Sequence, residues 1–267
     1  MKRVDGRQVD QFRKINIRKN FLSHPDGSVL IEVGGTKVLC AATMENGVPG
    51  WMRAQNVPGG WVTSEYGMLP ASTHDRMKRE ASRGKQSGRT MEIQRLIGRS
   101  FRTVIDLKAL GYNTVYIDCD VIDADGGTRC ASITGASIAL QLAFEKMVAA
   151  DKLKANPMRE NVAAISVGIF KGEPILDLNY HEDSSAEVDM NVVMTESGKF
   201  VEIQGTGEEK SFSYEEMEAM LSLAKNGLNK IFEMQRKVIE EAKQNSKPRN
   251  SGKSFGSLGD VLEDINL

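Results

Sequence analysis

Pro174-Ile-Leu-Asp-Leu-Asn-Tyr-His-Glu-Asp-Ser-Ser-Ala-Glu-Val-Asp-Met-Asn-Val-Val-Met-Thr195 is the most informative stretch of the chain. It reads as two strands, Ile175 to Tyr180 and Ala186 to Met194, joined by a polar turn at His181 to Ser185. Strict alternation puts Val188, Met190, Val192 and Met194 on one face of the second strand and Glu187, Asp189 and Asn191 on the other. Burying one face fixes the register, so the acidic residues are placed reproducibly. Asp183 at the turn and Asp189 on the strand then converge. Two carboxylates at one site repel unless a cation sits between them or one keeps its proton. The alternative is a solvated polar face on an edge hairpin. Both readings stay open until the rest of the chain supplies a substrate.

Working outward, Asn161 to Phe170 is a strand that feeds this hairpin. Further upstream, Thr114 to Ile122 is a strand with Val115, Ile117, Cys119 and Val121 on one face. It runs through Asp123-Ala-Asp-Gly-Gly-Thr-Arg129 into an apolar helix from Ala131 to Ala149. Strand, Gly-rich turn and helix together present backbone N–H groups and a helix N-terminus to a phosphate. The turn lacks Walker spacing, a dinucleotide fingerprint and the sixth-position glycine of an EF-hand. A second helix is predicted from Glu92 to Leu110, carrying Ile93, Leu96, Ile97, Phe101, Val104 and Ile105 at helical spacing before Gly111. Arg89 sits just before its start. A cation is disfavoured there, so Arg89 either faces an anion or points into water. From His74 to Arg102 the chain carries nine Lys or Arg against three Asp or Glu, in a protein of net charge -1. Such an arginine-rich run is a solvated face or a phosphate-contacting one.

The remaining elements complete a mixed pattern. Ser28 to Val33 and Thr36 to Ala42 flank Gly34-Gly35, a hairpin signal. Glu45 to Gly60 reads as loop, Trp61 to Tyr66 as a short strand, and Gly67 to Thr90 as loop or irregular helix. Phe200 to Gln204 is a short strand. Ser213 and Glu216 form a capping box, opening a helix that runs to about Ala242. Strands and helices interspersed in this way give an α+β or mixed α/β fold with helices packed on sheets. The expected division is one domain over residues 1–242 and a polar, flexible tail over 243–267.

Composition excludes several classes. At 267 residues, 40% hydrophobic and 27% charged, the chain is an ordinary globular protein with ample core. The net charge is wrong for a uniformly basic nucleic-acid binder, although it leaves local patches open. Cys40, Cys119 and Cys130 are odd in number and form no CxxC, which gives no zinc signature and suits a reducing compartment. No apolar signal core opens the sequence, and no apolar run approaches the ~18 residues of a membrane span. The expectation is a cytoplasmic protein with no membrane partner.

Six motifs in order carry a specific resemblance: Asp5-Gly-Arg7, Pro58-Gly-Gly-Trp-Val-Thr-Ser-Glu-Tyr-Gly-Met-Leu-Pro70, Glu92-Ile-Gln-Arg-Leu-Ile-Gly-Arg-Ser100, Ile117-Asp-Cys-Asp120, Ala124-Asp-Gly-Gly-Thr-Arg129, and Leu176-Asp-Leu-Asn-Tyr180 with Asp183 and Asp189. Over roughly residues 1–240 the chain resembles the bacterial ribonuclease PH family. Polynucleotide phosphorylase and the exosome core subunits are its relatives.

The resemblance implies the ribosomal protein S5 domain 2-like fold and a phosphate-dependent 3′→5′ exoribonuclease. Such an enzyme trims tRNA precursors and other RNA 3′ ends. Inorganic phosphate attacks the last phosphodiester and releases a nucleoside 5′-diphosphate; the reverse reaction adds nucleotides, making it a nucleotidyltransferase. The resemblance further implies phosphate binding by Arg89, Gly127, Thr128 and Arg129, and catalysis at Asp183 and Asp189 with a divalent metal, usually Mg2+. RNA contacts fall on Arg76 and Arg79, and the assembly is a homohexamer, a trimer of dimers. An aspartic acid would be available to protonate the leaving oxygen. One departure stands out: Leu69-Pro70 is followed by Ala71 where the family commonly has Arg, which removes one expected RNA contact. A non-catalytic RNA-binding ring subunit of exosome type is the alternative. A metal-dependent hydrolase using the same residues is another.

Overall fold

The computed structural model describes residues 3–246. Nine strands form two sheets. The first contains β1 (Ile15–Lys19), β2 (Gly27–Val33), β3 (Thr36–Asn46), β4 (Trp61–Met68) and β5 (Asn113–Asp123), in the order β1-β2-β3-β5-β4. All neighbours are antiparallel except β4 and β5. That parallel pair needs a crossover, which is supplied by α2 (Gly88–Arg102). The second sheet contains β6 (Val162–Phe170), β7 (Glu173–Leu176), β8 (Val188–Thr195) and β9 (Phe200–Gly207), in the order β7-β6-β8-β9 and antiparallel throughout. The other helices are α1 (Gly50–Ala54), α3 (Thr128–Ala149), α4 (Tyr180–Asp183) and α5 (Tyr214–Ser246).

The expected α+β architecture is present, with helices packed on both sheets. α3 packs against β2 and β3 of the first sheet and against β6 of the second. It is buried nearly all round, from Cys130 through Ile133, Ile138 and Leu140 to Phe144. A helix that is apolar on every side belongs inside a protein. α5 covers the second sheet through Met220, Ala224, Leu228, Ile231 and Phe232, which pack on Ile165, Val167, Met190 and Val192. Burial of each larger side chain contributes about 1.5–3 kcal/mol. The capping box at its start is present: Ser213 N–H donates to Glu216 Oε2 at 2.7 Å, and Glu216 N–H donates to Ser213 Oγ at 3.2 Å.

Several expectations change. The 174–195 stretch is not a hairpin. β7 ends at Leu176, the turn contains the short helix α4, and β6 lies between β7 and β8. β8 is therefore an interior strand, and the edge-decoration reading of its polar residues falls. α2 begins at Gly88, because Ser87 caps it by accepting from Thr90 N–H. Arg89 is consequently inside the first turn, and the helix ends at Arg102 rather than Leu110. α3 begins at Thr128, earlier than Ala131. The loop from Glu45 to Gly60 contains α1, and that from Gly67 to Thr90 holds a 3-10 turn at Glu80–Arg83. β4 extends to Met68 and β9 to Gly207. Residues 243–246 complete α5, while the rest of the expected tail lies outside the described residues.

The N-terminal segment has no regular structure before β1, yet it is anchored by charge. Arg3 and Glu182 are both buried and form a fork-to-fork pair, Nε to Oε1 at 2.8 Å and Nη2 to Oε2 at 2.5 Å. Arg3 also donates to the carbonyls of Leu176 and Asp177 at 2.7 and 2.9 Å. Arg7 reaches both Asp177 and Glu182. Arg13 closes on Asp177 twice, Nε to Oδ2 at 2.9 Å and Nη2 to Oδ1 at 2.7 Å. Asp177 has φ of 54°, the left-handed region. Short polar side chains enter it at modest cost when their surroundings fix them.

Removing one member of a buried ion pair leaves the other charge stranded. Arg3→Ala leaves Glu182 with the longer ion pair to Arg7, 3.3 Å, and is expected to lower unfolding free energy in urea by about 2–4 kcal/mol. A loss below about 1 kcal/mol would show that Glu182 is solvated or re-paired in the variant.

Candidate active site

The turn between β5 and α3 is built to leave a helix N-terminus open. Gly126 and Gly127 both have positive φ, 77° and 66°. A side chain at Gly126 would also strike the Leu178 carbonyl, 2.7 Å from an added Cβ. Glycine is therefore required at that position on two counts. Thr36 fastens the turn, donating to Gly126 O at 2.6 Å and accepting from Asp125 N–H at 2.9 Å. Arg13 donates to the Asp125 carbonyl from the other side. The helix cap Gly127 contributes no side-chain hydrogen bond to the first turn of α3. Its leading N–H groups carry the positive end of the helix dipole.

This N-terminus opens into a cavity of about 440 Å³. Arg89, Gly127, Thr128, Arg129, Asp183 and Asp189 all line it. The six residues expected to handle phosphate and metal thus meet in one place. Thr128 Oγ1 is 2.9 Å from the Tyr66 hydroxyl, and Arg89 Nη1 donates to that hydroxyl at 3.5 Å. Arg89 is exposed along most of its length and Arg129 is half-buried. Arg89 in the first turn of α2 is a second cation at a helix N-terminus; there Glu80 Oε1 already accepts from the Ser87 N–H and the Thr90 hydroxyl and offsets part of the charge.

The carboxylates are poised differently. Burial pushes the Asp183 carboxyl above its ordinary range, against the opposing charges of Arg129 and Arg89. Asp189 is pushed further, up to about 6, by burial first and then by the charge of Asp183. Its Oδ1 is buried without a hydrogen-bond partner, while Oδ2 accepts from Asn191 Nδ2 at 3.4 Å. An orphaned carboxylate oxygen beside a second carboxylate suits a divalent cation. No group of three or more His, Cys, Asp or Glu among the described residues forms a protein cage for a metal. Two carboxylates would hold Mg2+ only if water and substrate phosphates completed its octahedron.

Arg76 and Arg79 are exposed and line no part of this cavity. Their neighbours Thr73, His74, Asp75 and Met77 do, so the basic segment passes the mouth. Arg79 lines a separate shallow groove with Lys85 and Asp120. Asp118 and Asp120 of the Ile117–Asp120 motif lie away from the site. Burial and the charge of Glu65 push both carboxyls up.

Several contributors were not singled out from sequence. Arg13 and Asp177 brace the turn, Asn191 orients on Asp189, and Ser166 Oγ accepts Leu178 N–H at 3.1 Å beneath the site. Ser166 did carry a signal: it is a lone polar side chain in β6, which is otherwise apolar and buried. His74 and Tyr180 meet at the mouth with ring centroids 5.2 Å apart, a contact that no local pattern announces.

Comparison with known proteins agrees with this architecture. The model of domain 1 of the 3′ exoribonuclease family, RNase PH, matches residues 11–144, and that of domain 2 matches residues 160–227. Among solved structures, rice (Oryza sativa) Rrp46 superposes with a TM-score of 0.73 at 20% identity, covering 89% of this chain and 100% of that one. The Archaeoglobus fulgidus exosome with RNA bound to the active site gives 0.72 at 22% identity, covering 90% of this chain and 92% of that one. An archaeal exosome core gives 0.66 at 21% identity, with 91% of each chain covered. At these identities the structural likeness is one of fold. The two family matches take in both sheets and every residue that lines the cavity, and the chain belongs to the RNase PH family of 3′ exoribonucleases.

Proposed function

We propose that the chain is a phosphorolytic 3′→5′ exoribonuclease of the bacterial ribonuclease PH type, acting on tRNA precursors and other RNA 3′ ends. One observation carries this reading. An open helix N-terminus and two arginines share a single cavity with two carboxylates pushed above their ordinary range. Hydrolysis needs no second anion site beside the scissile phosphate, whereas phosphorolysis does.

In this mechanism Arg129, Arg89 and the leading amides of α3 hold inorganic phosphate in line with the last phosphodiester. A phosphate oxygen bonds to the scissile phosphorus, and the bond to the ribose 3′-oxygen breaks. The nucleoside 5′-diphosphate leaves, and the 3′-oxygen takes up a proton. Asp183 and Asp189 hold Mg2+, which when bound offsets charge on the transferred phosphoryl group and the departing oxygen. Arg76 and Arg79 engage the RNA backbone outside the cavity. The assembly is a homohexameric ring, a trimer of dimers, in the cytoplasm; no described helix is long and apolar enough to cross a membrane. A non-catalytic ring subunit of exosome type fits the fold equally well. Retention of Arg89, Arg129, Asp183 and Asp189 in one cavity favours the enzyme.

With a labelled tRNA precursor, release of nucleoside diphosphates is expected only when inorganic phosphate is added. Monophosphate release that is equal with and without phosphate would overturn the proposal, and no release under either condition would favour the ring-subunit alternative. Arg129→Ala is expected to raise the KM for phosphate by about ten- to a hundredfold; an unchanged phosphate dependence would remove Arg129 from the anion site.

The carboxylate pair also sets a stability prediction for metal-free protein. A carboxyl raised in the folded state binds its proton more tightly there than in the unfolded chain. Its contribution is therefore fully present below the unfolded value and is lost as pH rises through about 6. Asp189→Asn abolishes that loss. In EDTA at pH 7.5 the variant is expected to be more stable than the parent by about 1–2 kcal/mol, an advantage that fades by about pH 4. Its turnover is expected to fall at least about a hundredfold. Thermal melts across pH decide the first point: a pH-independent difference would mean that Asp189 is solvated.

A further inference from the structure

Arg129 is held by a chain of hydrogen bonds that runs across three elements. Its Nη1 donates to Gln204 Oε1 at 2.5 Å, and Gln204 Nε2 donates to Glu92 Oε1 at 2.5 Å. Glu92 is on α2, Arg129 on α3 and Gln204 on β9. Gln204 sits opposite Asn191 in the β8–β9 register, so its backbone is anchored beside the strand that carries Asp189.

The chemistry of the three groups allows one arrangement only. An ionised carboxylate accepts and cannot donate, while a guanidinium donates and cannot accept. An amide between them satisfies both when its NH2 faces Glu92 and its carbonyl faces Arg129. Glu92 thereby decides which end of Gln204 meets the arginine. The same α2–β9 seam offers a contrast: two residues away on β9, Glu202 takes Arg99 in a direct ion pair. A carboxylate at position 204 would likewise offset the charge of Arg129. An amide orients the guanidinium and leaves its full charge, with its remaining N–H groups, directed at the cavity.

We propose that Gln204 is a positioning residue for the phosphate site, holding Arg129 toward the cavity through a neutral hydrogen bond whose direction Glu92 fixes. This rests on the reading of Arg129 as a phosphate ligand. The test is full-length protein with Gln204→Leu, which keeps the size of the side chain and removes its carbonyl. Two measurements are made: steady-state phosphorolysis against phosphate concentration, and the crystallographic order of the Arg129 side chain. The expected result is a KM for phosphate raised about three- to tenfold, with kcat at saturating phosphate within about twofold of the parent and Arg129 displaced. Gln204→Glu combined with Glu92→Gln, which gives the new carboxylate an amide donor in place of a second carboxylate, is expected to return Arg129 to its place, yet leave KM raised, because it restores the acceptor and offsets the charge. An unchanged KM in Gln204→Leu, or Arg129 unmoved in that variant, overturns the proposal. If the parent protein shows no phosphate dependence, the functional reading fails by itself, and Arg129 order in the two variants still decides whether Gln204 positions it.

Discussion

Arg13 and Asp177 meet in the interior through two hydrogen bonds of 2.9 and 2.7 Å, and most of the site hangs on that pair. Arg13 comes from the irregular segment before β1. Asp177 ends the run after β7 in a left-handed conformation. The guanidinium also holds the Asp125 carbonyl, so one side chain joins the N-terminal segment, the glycine turn and the approach to α4. Asp125 in turn accepts from the Tyr180 backbone at 3.2 Å. Phosphate residues on the turn and carboxylates beyond α4 are thereby placed in one frame. A buried ion pair of this kind is weak as a source of net stability and strong as a constraint on geometry, because few other arrangements satisfy both charges.

The site itself opposes folding. Asp183 and Asp189 are both pushed above the ordinary carboxylate range by burial, and Asp189 carries an oxygen with no partner. Arg89 and Arg129 stand at helix N-termini, where cations are disfavoured. The two carboxylates would be better solvated elsewhere, and they share one cavity with the arginines. On the proposed function, binding of phosphate and a divalent cation would offset that cost.

Much of this was legible in the sequence, and the omissions have physical causes. Helical spacing along 93–101 reported the buried face of α2; alternation along 188–194 found one buried face of β8 but not that Asn191 and Val193 on the other are buried too. Asp183, Asp189 and the Gly127–Arg129 turn could be picked out because unusual chemistry clusters there within a few residues. The hairpin reading of 174–195 failed because alternation names faces and not neighbours; the insertion of β6 between β7 and β8 is a long-range choice. α4 was missed although Asn179 and Glu182 form a capping box, since four residues are too few to show a period. Arg13 belongs to no periodic element and no motif. Only its partner 164 positions away gives it a role.

The burial of α3 carries a consequence for how the molecule is divided. The two family segments meet in sequence between residues 144 and 160, which suggests two modules. Yet 16 of the 22 residues of α3 are buried, and the helix lies against strands of both sheets. Cut after it, the first half would expose the apolar side that normally faces β6, and the second half would uncover Val162, Ala164 and Val193 on the face of its sheet turned away from α5. Cooperativity runs through a single shared helix, so the two halves are expected to unfold as one thermodynamic unit.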